Sequence, residues 1–455
     1  MKEPFSPRQR ILLWLACSTI FFEAFDVSVV NLSLPLIATD LGIPLAAAQW
    51  VQTLYLLSFG GFLLLGGRLC DYAGSRIIFL VGMSLFGAAS GLCFAAHHLW
   101  SLVPGRVGQG IGAALAMPAG ISLLSRYFTA GRQQQTAFGI FGAFAAVGFA
   151  GGLALGGMIA TLFNWHWIFG INVPVIAGVL AAGYRFIPRP AGKEAVAPNG
   201  WMAAWLTATL LLFSYAIHEA VGLGWWTPPV LALALVSGIA LYRVDRQKTR
   251  PFFGSGVYPH REAWRGLSAF TLLGAAFLPF VFTCTLSLYT VLQRDILATG
   301  LLLFPYSIGS ALVSKYVLPV LFRRMKVVQV GLLCIGLLLA GDLLLMAGIT
   351  SRQESWWLVA LLLVNSISIA IGYPAFTVLS LTGVPPERQG IAAGIQSTLY
   401  TVGSGLGLSL TGLCLSAGAA PGALLASCGI IGGLCLAALI VLLLKSKKCI
   451  PLPPV

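Results

Sequence analysis

Long apolar stretches, separated by short polar segments, follow one another along the whole chain. A helix that crosses a bilayer needs about 20 mostly apolar residues, and fourteen stretches approach or exceed that length. The predicted spans, 1 to 14, cover residues 11–38, 49–67, 77–97, 99–125, 135–161, 166–187, 201–221, 228–244, 265–292, 297–320, 327–349, 356–380, 390–416 and 422–444. Span 8 is the shortest, and it opens on Pro228-Pro229. The pattern predicts an all-α polytopic membrane protein.

Composition supports this class. Of the 455 residues, 58% are hydrophobic and 9% are charged, whereas a soluble domain has about 25% charged residues. The first apolar stretch is too long for a signal peptide and contains Glu23 and Asp26, so we expect it to be retained as a span. Most of the nine cysteines lie inside apolar runs, where cysteine behaves as a small hydrophobe. The sequence shows neither a disulfide framework nor zinc-ligand spacing.

The positions of the basic residues predict the orientation in the membrane. The formal net charge is +14, and all of the 27 Lys and Arg except Arg106, Arg294 and Arg352 fall at the termini or beside the loops that follow even-numbered spans. Short cytoplasmic loops collect Lys and Arg. We therefore expect both termini in the cytoplasm and the protein in the inner membrane. The net charge then needs no nucleic-acid partner.

Two basic, proline-containing loops, 188–200 and about 245–264, divide the chain. We predict an N-terminal six-helix bundle over 1–190, a linker with two extra spans over 191–264, and a C-terminal six-helix bundle over 265–455. No soluble catalytic domain fits, and a phosphate-binding G-x-x-x-x-G-K-[ST] loop is absent from the sequence. All five histidines lie at span ends or in loops. A metal, a cofactor or an enzymatic activity is therefore not expected.

Four charged residues lie at membrane depth, where each costs several kcal/mol. Glu23 and Asp26 share a face of span 1, and two carboxylates in a low dielectric disfavour joint ionisation, so one of them is suited to carry a proton. Alternatively, Glu23 is permanently neutral and only packs. Arg106 in span 4 needs an anion. It lies roughly 10 Å from the outer end of its span and Asp26 roughly 18 Å from that of span 1, a difference that a long arginine side chain can cover. We expect Arg106 to face these carboxylates, as a modulator of proton uptake or as a static ion pair.

Asp342 is isolated near the middle of span 11. It either binds a cationic substrate or is a neutral, hydrogen-bonded acid. Spans 5 and 13, the fifth of the first six and the fifth of the last six, are rich in glycine. Either small residues simply allow close helix packing there, or the two helices slide or bend during a conformational cycle. Their matching positions hint at an internal repeat, which is common in transporters.

Five segments together resemble a known family. They are F-D-V-S-V-V-N-L-S-L-P from Phe25, Q-W-V-Q-T-L-Y-L-L from Gln49, G-R-L-C-D-Y-A-G-S-R from Gly67, R-V-G-Q-G-I-G-A-A-L-A-M-P from Arg106 and W-H-W-I-F-G-I-N-V-P from Trp165. In this order and on these spans, they resemble the fourteen-helix drug:proton antiporter branch of the major facilitator superfamily. The resemblance implies two six-helix bundles around a central cavity.

The resemblance also implies roles for individual residues. Gly67, Asp71, Gly74 and Arg76 match the superfamily's gating-loop motif, and Arg106 matches an arginine implicated in proton coupling. Gly152, Gly156 and Gly157 match the helix-packing motif of span 5, although the usual Gly-Pro pair is replaced by Gly152-Leu153. The second-half counterpart of the gating loop, from Ser314, lacks its acidic residue, and His166 stands where the branch commonly has arginine.

We therefore expect a secondary transporter that exports amphipathic drugs or toxic organic compounds by alternating access, with Asp26 as proton carrier and Glu23 and Arg106 as modulators. Its partners would be a small-molecule substrate, protons and the lipid bilayer. Polarity at membrane depth nominates the residues that line the substrate cavity: Asn31, Gln52, Tyr55, Gln109, Asp342, Asn365 and Tyr373. The alternatives are an exporter of an endogenous metabolite and, more remotely, a membrane receptor or an intramembrane enzyme.

Overall fold

The computed structural model describes residues 5–128, 131–188, 200–219, 227–247, 261–384, 389–415 and 420–444, and within these ranges it contains helices and no strands. The first half consists of α1 (Pro7–Asp40), α2 (Leu45–Ala73), α3 (Ser75–Phe94), α4 (Leu99–Tyr127), α5 (Gly131–Leu162), α6 (Trp167–Gly170) and α7 (Asn172–Phe186). Helix α1 begins in a capping box, in which Ser6 and Gln9 bond to each other's backbone N–H.

The second half begins after two intervening helices, α8 (Gly200–Glu219) and α9 (Thr227–Arg246). It consists of α10 (Arg261–Thr290), α11 (Ile296–Leu312), α12 (Leu318–Arg324), α13 (Val327–Ser351), α14 (Glu354–Leu361), α15 (Ile369–Ser380), α16 (Gln389–Cys414) and α17 (Pro421–Leu443). Short π-helical turns, Val313–Val317 and Leu362–Ser368, join α11 to α12 and α14 to α15.

Within the described ranges, twelve helical segments are long and apolar enough to cross a membrane. The short span predicted at 228–244 is among them, as α9. Two of the fourteen predicted spans, 201–221 and 390–416, are not among these twelve segments. The apolar part of α8 covers only Gly200–Ala216, and α16 carries a series of buried polar side chains, including Gln396, Thr398 and Ser404, which lower its hydropathy. The chain is a multi-pass membrane protein.

Glycine rows pack the two halves in the same way. In α5, a Cβ added to Gly148 would lie 2.6 Å from the carbonyl oxygen of Phe21 in α1. Gly152 and Gly156 repeat this close approach one and two turns later, against Ser28 and Val29. In α16, Gly403 and Gly407 approach the backbone of Thr271 and Ala275 in α10 just as closely. Each of these glycine-rich helices thus packs on the first helix of its own half.

Most contacts between the halves join α5 to α11 and α2 to α16, and fewer join α1 to α10 and to α11. A Cβ on Gly300 of α11 would collide with the carbonyl of Leu153 in α5, and Gly405 of α16 packs on Leu57 in α2. Residues 25–38 of α1 and residues 269–288 of α10 contribute to one apolar core. This arrangement places the middle of α1 at the centre of the assembly.

Candidate functional site

The centre of the assembly contains a fully buried ion pair between α1 and α4. Asp26 and Arg106 are each 0% exposed, and Nη1 of Arg106 lies 2.6 Å from Oδ2 of Asp26. The expected contact between Arg106 and the carboxylates of span 1 is confirmed for Asp26. A short bond of this kind, between two charged groups away from solvent, is characteristic of a charge-assisted hydrogen bond.

The guanidinium is also fixed by groups other than Asp26. Its Nε donates to the carbonyl oxygen of Val51 in α2 at 2.6 Å, and Nη1 also donates to Oε1 of Gln109, one turn further along α4, at 2.8 Å. The ring centroid of Tyr55 lies 4.5 Å from Cζ of Arg106, and that of Phe169 lies 5.7 Å from it. A cation over aromatic faces is stabilised without an anion. Arg106 therefore joins α1, α2 and α4 at one point.

Gln109 extends the network to α3. Its Nε2 donates to Oδ1 of Asp26 at 3.2 Å and to Oγ of Ser90 at 2.8 Å. Both oxygens of Asp26 thus accept hydrogen bonds, which suits an ionised carboxylate because that form only accepts. Sequence reasoning placed Gln109 in a substrate cavity and did not identify Ser90. The signal that could have identified Ser90 is its polar side chain within an otherwise apolar span.

Two glycines in α4 bring these helices close enough for the network to form. A Cβ on Gly110 would lie 2.5 Å from the carbonyl oxygen of Tyr55 in α2, and one on Gly112 would lie 2.6 Å from the backbone nitrogen of Phe86 in α3. Real Cβ atoms do not approach so closely, so larger residues would push α4 away from both neighbours. The glycine spacing after Arg106 thus sets the geometry around Asp26.

Glu23 lies one turn before Asp26 but belongs to a different environment. It is half-buried, and it has no hydrogen-bond or ion-pair partner among the described residues. The phenol groups of Tyr55, Tyr373 and Tyr400 lie within its electrostatic range. Two of these tyrosines belong to α15 and α16 of the second half. Glu23 therefore faces the region between the halves.

An aromatic cluster of the second half lies within electrostatic range of Glu23. The rings of Phe270, Tyr373 and Tyr400 lie 4.8 to 5.3 Å apart, centroid to centroid. Tyr373 is 38% exposed although it lies within the helix assembly, so one side of its ring borders open space. Of this cluster, sequence reasoning had selected only Tyr373, because aromatic residues in spans more often face lipid or core than a cavity.

The comparison with known proteins decides the family. A model of the Major Facilitator Superfamily matches residues 16–408, which include every residue of this site. The chain belongs to the Major Facilitator Superfamily. Members of this family are transporters, so the chain is a transporter rather than an enzyme.

The sequence relatives within the superfamily include export and resistance proteins. The cephamycin export protein CmcT of Amycolatopsis lactamdurans is 32% identical, over 88% of this chain and 83% of its own. The methylenomycin A resistance protein of Bacillus subtilis (strain 168) is 30% identical, over 89% of this chain and 87% of its own. Among solved structures, an auto-inhibited POT family peptide transporter matches with a TM-score of 0.71 over 98% of this chain and 99% of that one. At 15% identity this match shows the fold alone.

The residues that the sequence predicts to line the substrate cavity do not form one group in this superfamily member. Gln52 and Tyr55 lie near the ion pair, and Gln52 donates to the carbonyl of Val27 at 3.3 Å. Asn31 and Asn365 are buried, with 1% and 3% exposure. Asp342 is not brought to the site. It is 1% exposed and lies between α13 and α17, where a Cβ on Gly432 would be 3.4 Å from its carboxylate.

The gating-loop motif lies between α2 and α3. Gly74 ends α2 with φ +87°, a conformation that L side chains rarely adopt. Arg76 donates to the carbonyl oxygens of Tyr184 and Ile187 at 2.7 Å each, and so satisfies the end of α7. Gly67 has open space around its Cα, and the side chain of Asp71 lies outside the described structure. The motif therefore joins α3 to α7 through Arg76.

His166, which replaces the arginine common in the antiporter branch, is held in place by neighbouring groups. Its Nε2 lies 2.9 Å from the carbonyl oxygen of Ala96, and its ring stacks on Trp165 at 3.7 Å. Trp165 in turn donates from Nε1 to Asp40 at 2.8 Å. The segment thus fastens the connection before α6 to the ends of α1 and α3, a structural role for these residues.

Proposed function

We propose that the chain exports amphipathic drugs or toxic organic compounds across the cytoplasmic membrane in exchange for protons, by alternating access. The buried pair of Asp26 and Arg106, in a chain whose relatives are export and resistance proteins, is the observation that carries this proposal. A charge pair is costly at membrane depth, and intramembrane ionisable residues usually serve function.

The proton step would take place at Asp26. When Asp26 is ionised, it accepts from Arg106 and Gln109 and holds α1 against α4. Protonation removes its charge, weakens both bonds and leaves Arg106 on Val51, Gln109 and the rings of Tyr55 and Phe169. A ligand shifts a conformational equilibrium only through different affinity for the two states. The proton would shift the equilibrium because the network around Asp26 would differ between the inward-open and outward-open forms. The affinity of Asp26 for a proton would then differ between them.

The substrate would bind between Glu23 and the aromatic cluster of Phe270, Tyr373 and Tyr400. Aromatic faces suit apolar, ring-containing compounds, and a half-buried carboxylate without a protein partner suits a polar or cationic group on the same molecule. This region lies one helical turn from Asp26, so binding and protonation would influence each other through α1.

We further propose that α8 and α16 also cross the membrane, for fourteen spans with both termini in the cytoplasm. Polar side chains of α16 are buried against neighbouring helices: Gln396 donates to Thr377 of α15, Ser409 bonds to Ser214 of α8, and Ser404 lies beside Gly274 of α10. Polar residues in membrane helices are tolerated in such positions, away from lipid. Two bundles, 1–190 and 265–455, would flank the α8–α9 pair. The matching glycine rows of α5 and α16 support this division.

Efflux from cells that lack their own drug exporters tests the proposal. Cells that produce the chain are loaded with a fluorescent lipophilic dye, and we expect energy-dependent efflux that collapses with the proton gradient. Asp26→Asn should lose the part of this efflux that depends on the proton gradient. Asp40→Asn, at the exposed end of the same helix and still able to accept from Trp165, should retain it. If no dye or drug is exported but a cellular metabolite accumulates in the medium, the endogenous-metabolite alternative is correct and drug export is wrong.

A further inference from the structure

An apolar groove opens on the outside of the helix assembly, between α1, α5 and α7. Its volume is about 470 Å³, within the range of small-molecule sites. Trp14 and Phe21 of α1, Phe144 of α5, and Val175, Gly178 and Ala182 of α7 contribute to its walls. The hydroxyl of Ser18, also in the lining, is already bonded to the carbonyl of Leu15 at 2.7 Å. The lining therefore suits a hydrocarbon chain.

The groove faces the surroundings of the protein and not its central site. Trp14 is 64% exposed and Val175 is 50% exposed. The ring of Trp14 meets that of Phe144 edge-on at 5.1 Å. The helices that form the groove, α1, α5 and α7, contribute to apolar segments long enough to cross a membrane, so the groove is open to lipid.

Two arginines lie at one end of the groove. Arg10 lies one turn before Trp14 in α1, and Arg185 lies one turn after Ala182 in α7. These two helix ends are neighbours, because Ser6 and Gln9 line a common pocket with Pro188, two residues beyond α7. Both arginines are exposed, and neither is in an ion pair with a described residue.

We propose that this groove binds an anionic phospholipid, with an acyl chain along its apolar walls and the phosphate at Arg10 and Arg185. Arginine binds phosphate through two parallel N–H donors, and basic residues beside membrane helices attract anionic headgroups. A cationic amphipathic compound would meet like charge at the same position. The site is separate from the one proposed for transport, and its test needs no transport activity.

Quenching of Trp14 by brominated lipids measures occupancy directly. The purified full-length protein is reconstituted in phosphatidylcholine vesicles that contain increasing phosphatidylglycerol, with bromine on the acyl chains of one lipid at a time. The part of the fluorescence lost in Trp14→Phe reports the groove. We expect brominated phosphatidylglycerol to quench it at a lower mole fraction than brominated phosphatidylcholine. The double variant Arg10→Gln/Arg185→Gln should reduce this preference about fivefold for each arginine.

A matched charge control is Arg323→Gln/Arg324→Gln, two exposed arginines in α12, which should keep the preference. A second variant fills the groove. A Cβ at Gly178, which lines it, has nothing within 4 Å, so the ring of Gly178→Phe should occupy the groove and lower quenching by both lipids. Gly336→Phe, equally open on α13, should not. Equal quenching by the two lipids in the wild type, or an unchanged preference in the double arginine variant, would overturn the proposal. So would stronger quenching by a brominated alkylammonium compound, which would make the groove an entry for cations.

Discussion

Nη1 of Arg106 lies 2.6 Å from Oδ2 of Asp26, and neither side chain is accessible to solvent. The same arginine is held by Val51 and Gln109, so its position does not depend on Asp26 alone. The carboxylate, in contrast, depends on Arg106 for its charge balance. In the proposed mechanism, Asp26 is therefore the member of the pair whose protonation state changes.

Replacement of Arg106 should lower the free energy of unfolding far more than replacement of Arg294, an exposed arginine in an equally short ion pair. Arg106→Ala leaves a buried carboxylate unpaired, and we expect a loss of about 3–5 kcal/mol in the free energy of unfolding. Arg294 is also 2.6 Å from its partner, Glu354, but both are well exposed. Arg294→Ala should therefore lose at most about 1 kcal/mol.

Thermal unfolding of the purified variants in detergent measures this difference. The double variant Asp26→Asn/Arg106→Ala should be more stable than Arg106→Ala alone, because the unpaired charge is gone. Equal melting temperatures for Arg106→Ala and Arg294→Ala would contradict the assignment of the buried pair.

The glycine row of α5 offers a test between adjacent residues. Gly152→Ala places a Cβ 2.6 Å from the carbonyl oxygen of Phe25, so α5 must shift away from α1 at a cost of about 1–3 kcal/mol. Gly151→Ala meets nothing within 4 Å and should be neutral or stabilising by up to about 1 kcal/mol, since alanine favours helix. The comparison is again made by thermal unfolding, and identical shifts for the two variants would show that the row is not in close contact.

Tyr373 should contribute its ring, not its hydroxyl, to substrate binding. Tyr373→Ala removes the ring contacts with Phe270 and Tyr400 and leaves less aromatic surface for the substrate to bind. At about 0.5–1.5 kcal/mol for an aromatic pair, the dissociation constant of an aromatic dye should rise roughly two- to twelve-fold. Tyr373→Phe should bind as the wild type does. Tyr316→Ala, an exposed tyrosine in the first π-helical turn, is the control, and an equal loss there would exclude a specific role for Tyr373.

Reporter fusions test the fourteen-span topology. Alkaline phosphatase is active only outside the cytoplasm, whereas green fluorescent protein fluoresces only inside it. We expect a fluorescent signal for fusions after residues 188, 247 and 384, and phosphatase activity after residues 219 and 415, because α8, α9 and α16 each cross the bilayer. Fusions after 188 and 219 that report the same side would show that α8 does not cross.

Some of the site was predictable from the sequence because a single physical constraint determined it. An arginine at membrane depth cannot shed its charge easily, and Asp26 lies within the reach of its long side chain. Their contact followed from cost and reach alone. The glycines of spans 5 and 13 likewise predicted close packing, since small residues let membrane helices approach.

Other features depend on the rotation of a helix about its axis, which depth does not determine. Asp342 has the same depth and polarity as a cavity residue, but its face of α13 packs on α17. The π-helical turn Leu362–Ser368, which contains Asn365, also changes the phase of its helix. Phe270 and Tyr400 resemble ordinary span aromatics, and only the packing of α10, α15 and α16 brings them together.

Proton movement in vesicles tests the central claim most directly. The purified protein is reconstituted with a pH-sensitive dye inside, and a gradient of an exported compound is imposed without a pH gradient. We expect substrate flow to drive protons in the opposite direction in the wild type and in Asp40→Asn. In Asp26→Asn, we expect substrate exchange without proton movement. Proton movement in Asp26→Asn at the wild-type ratio to substrate would contradict the role of Asp26 as proton carrier.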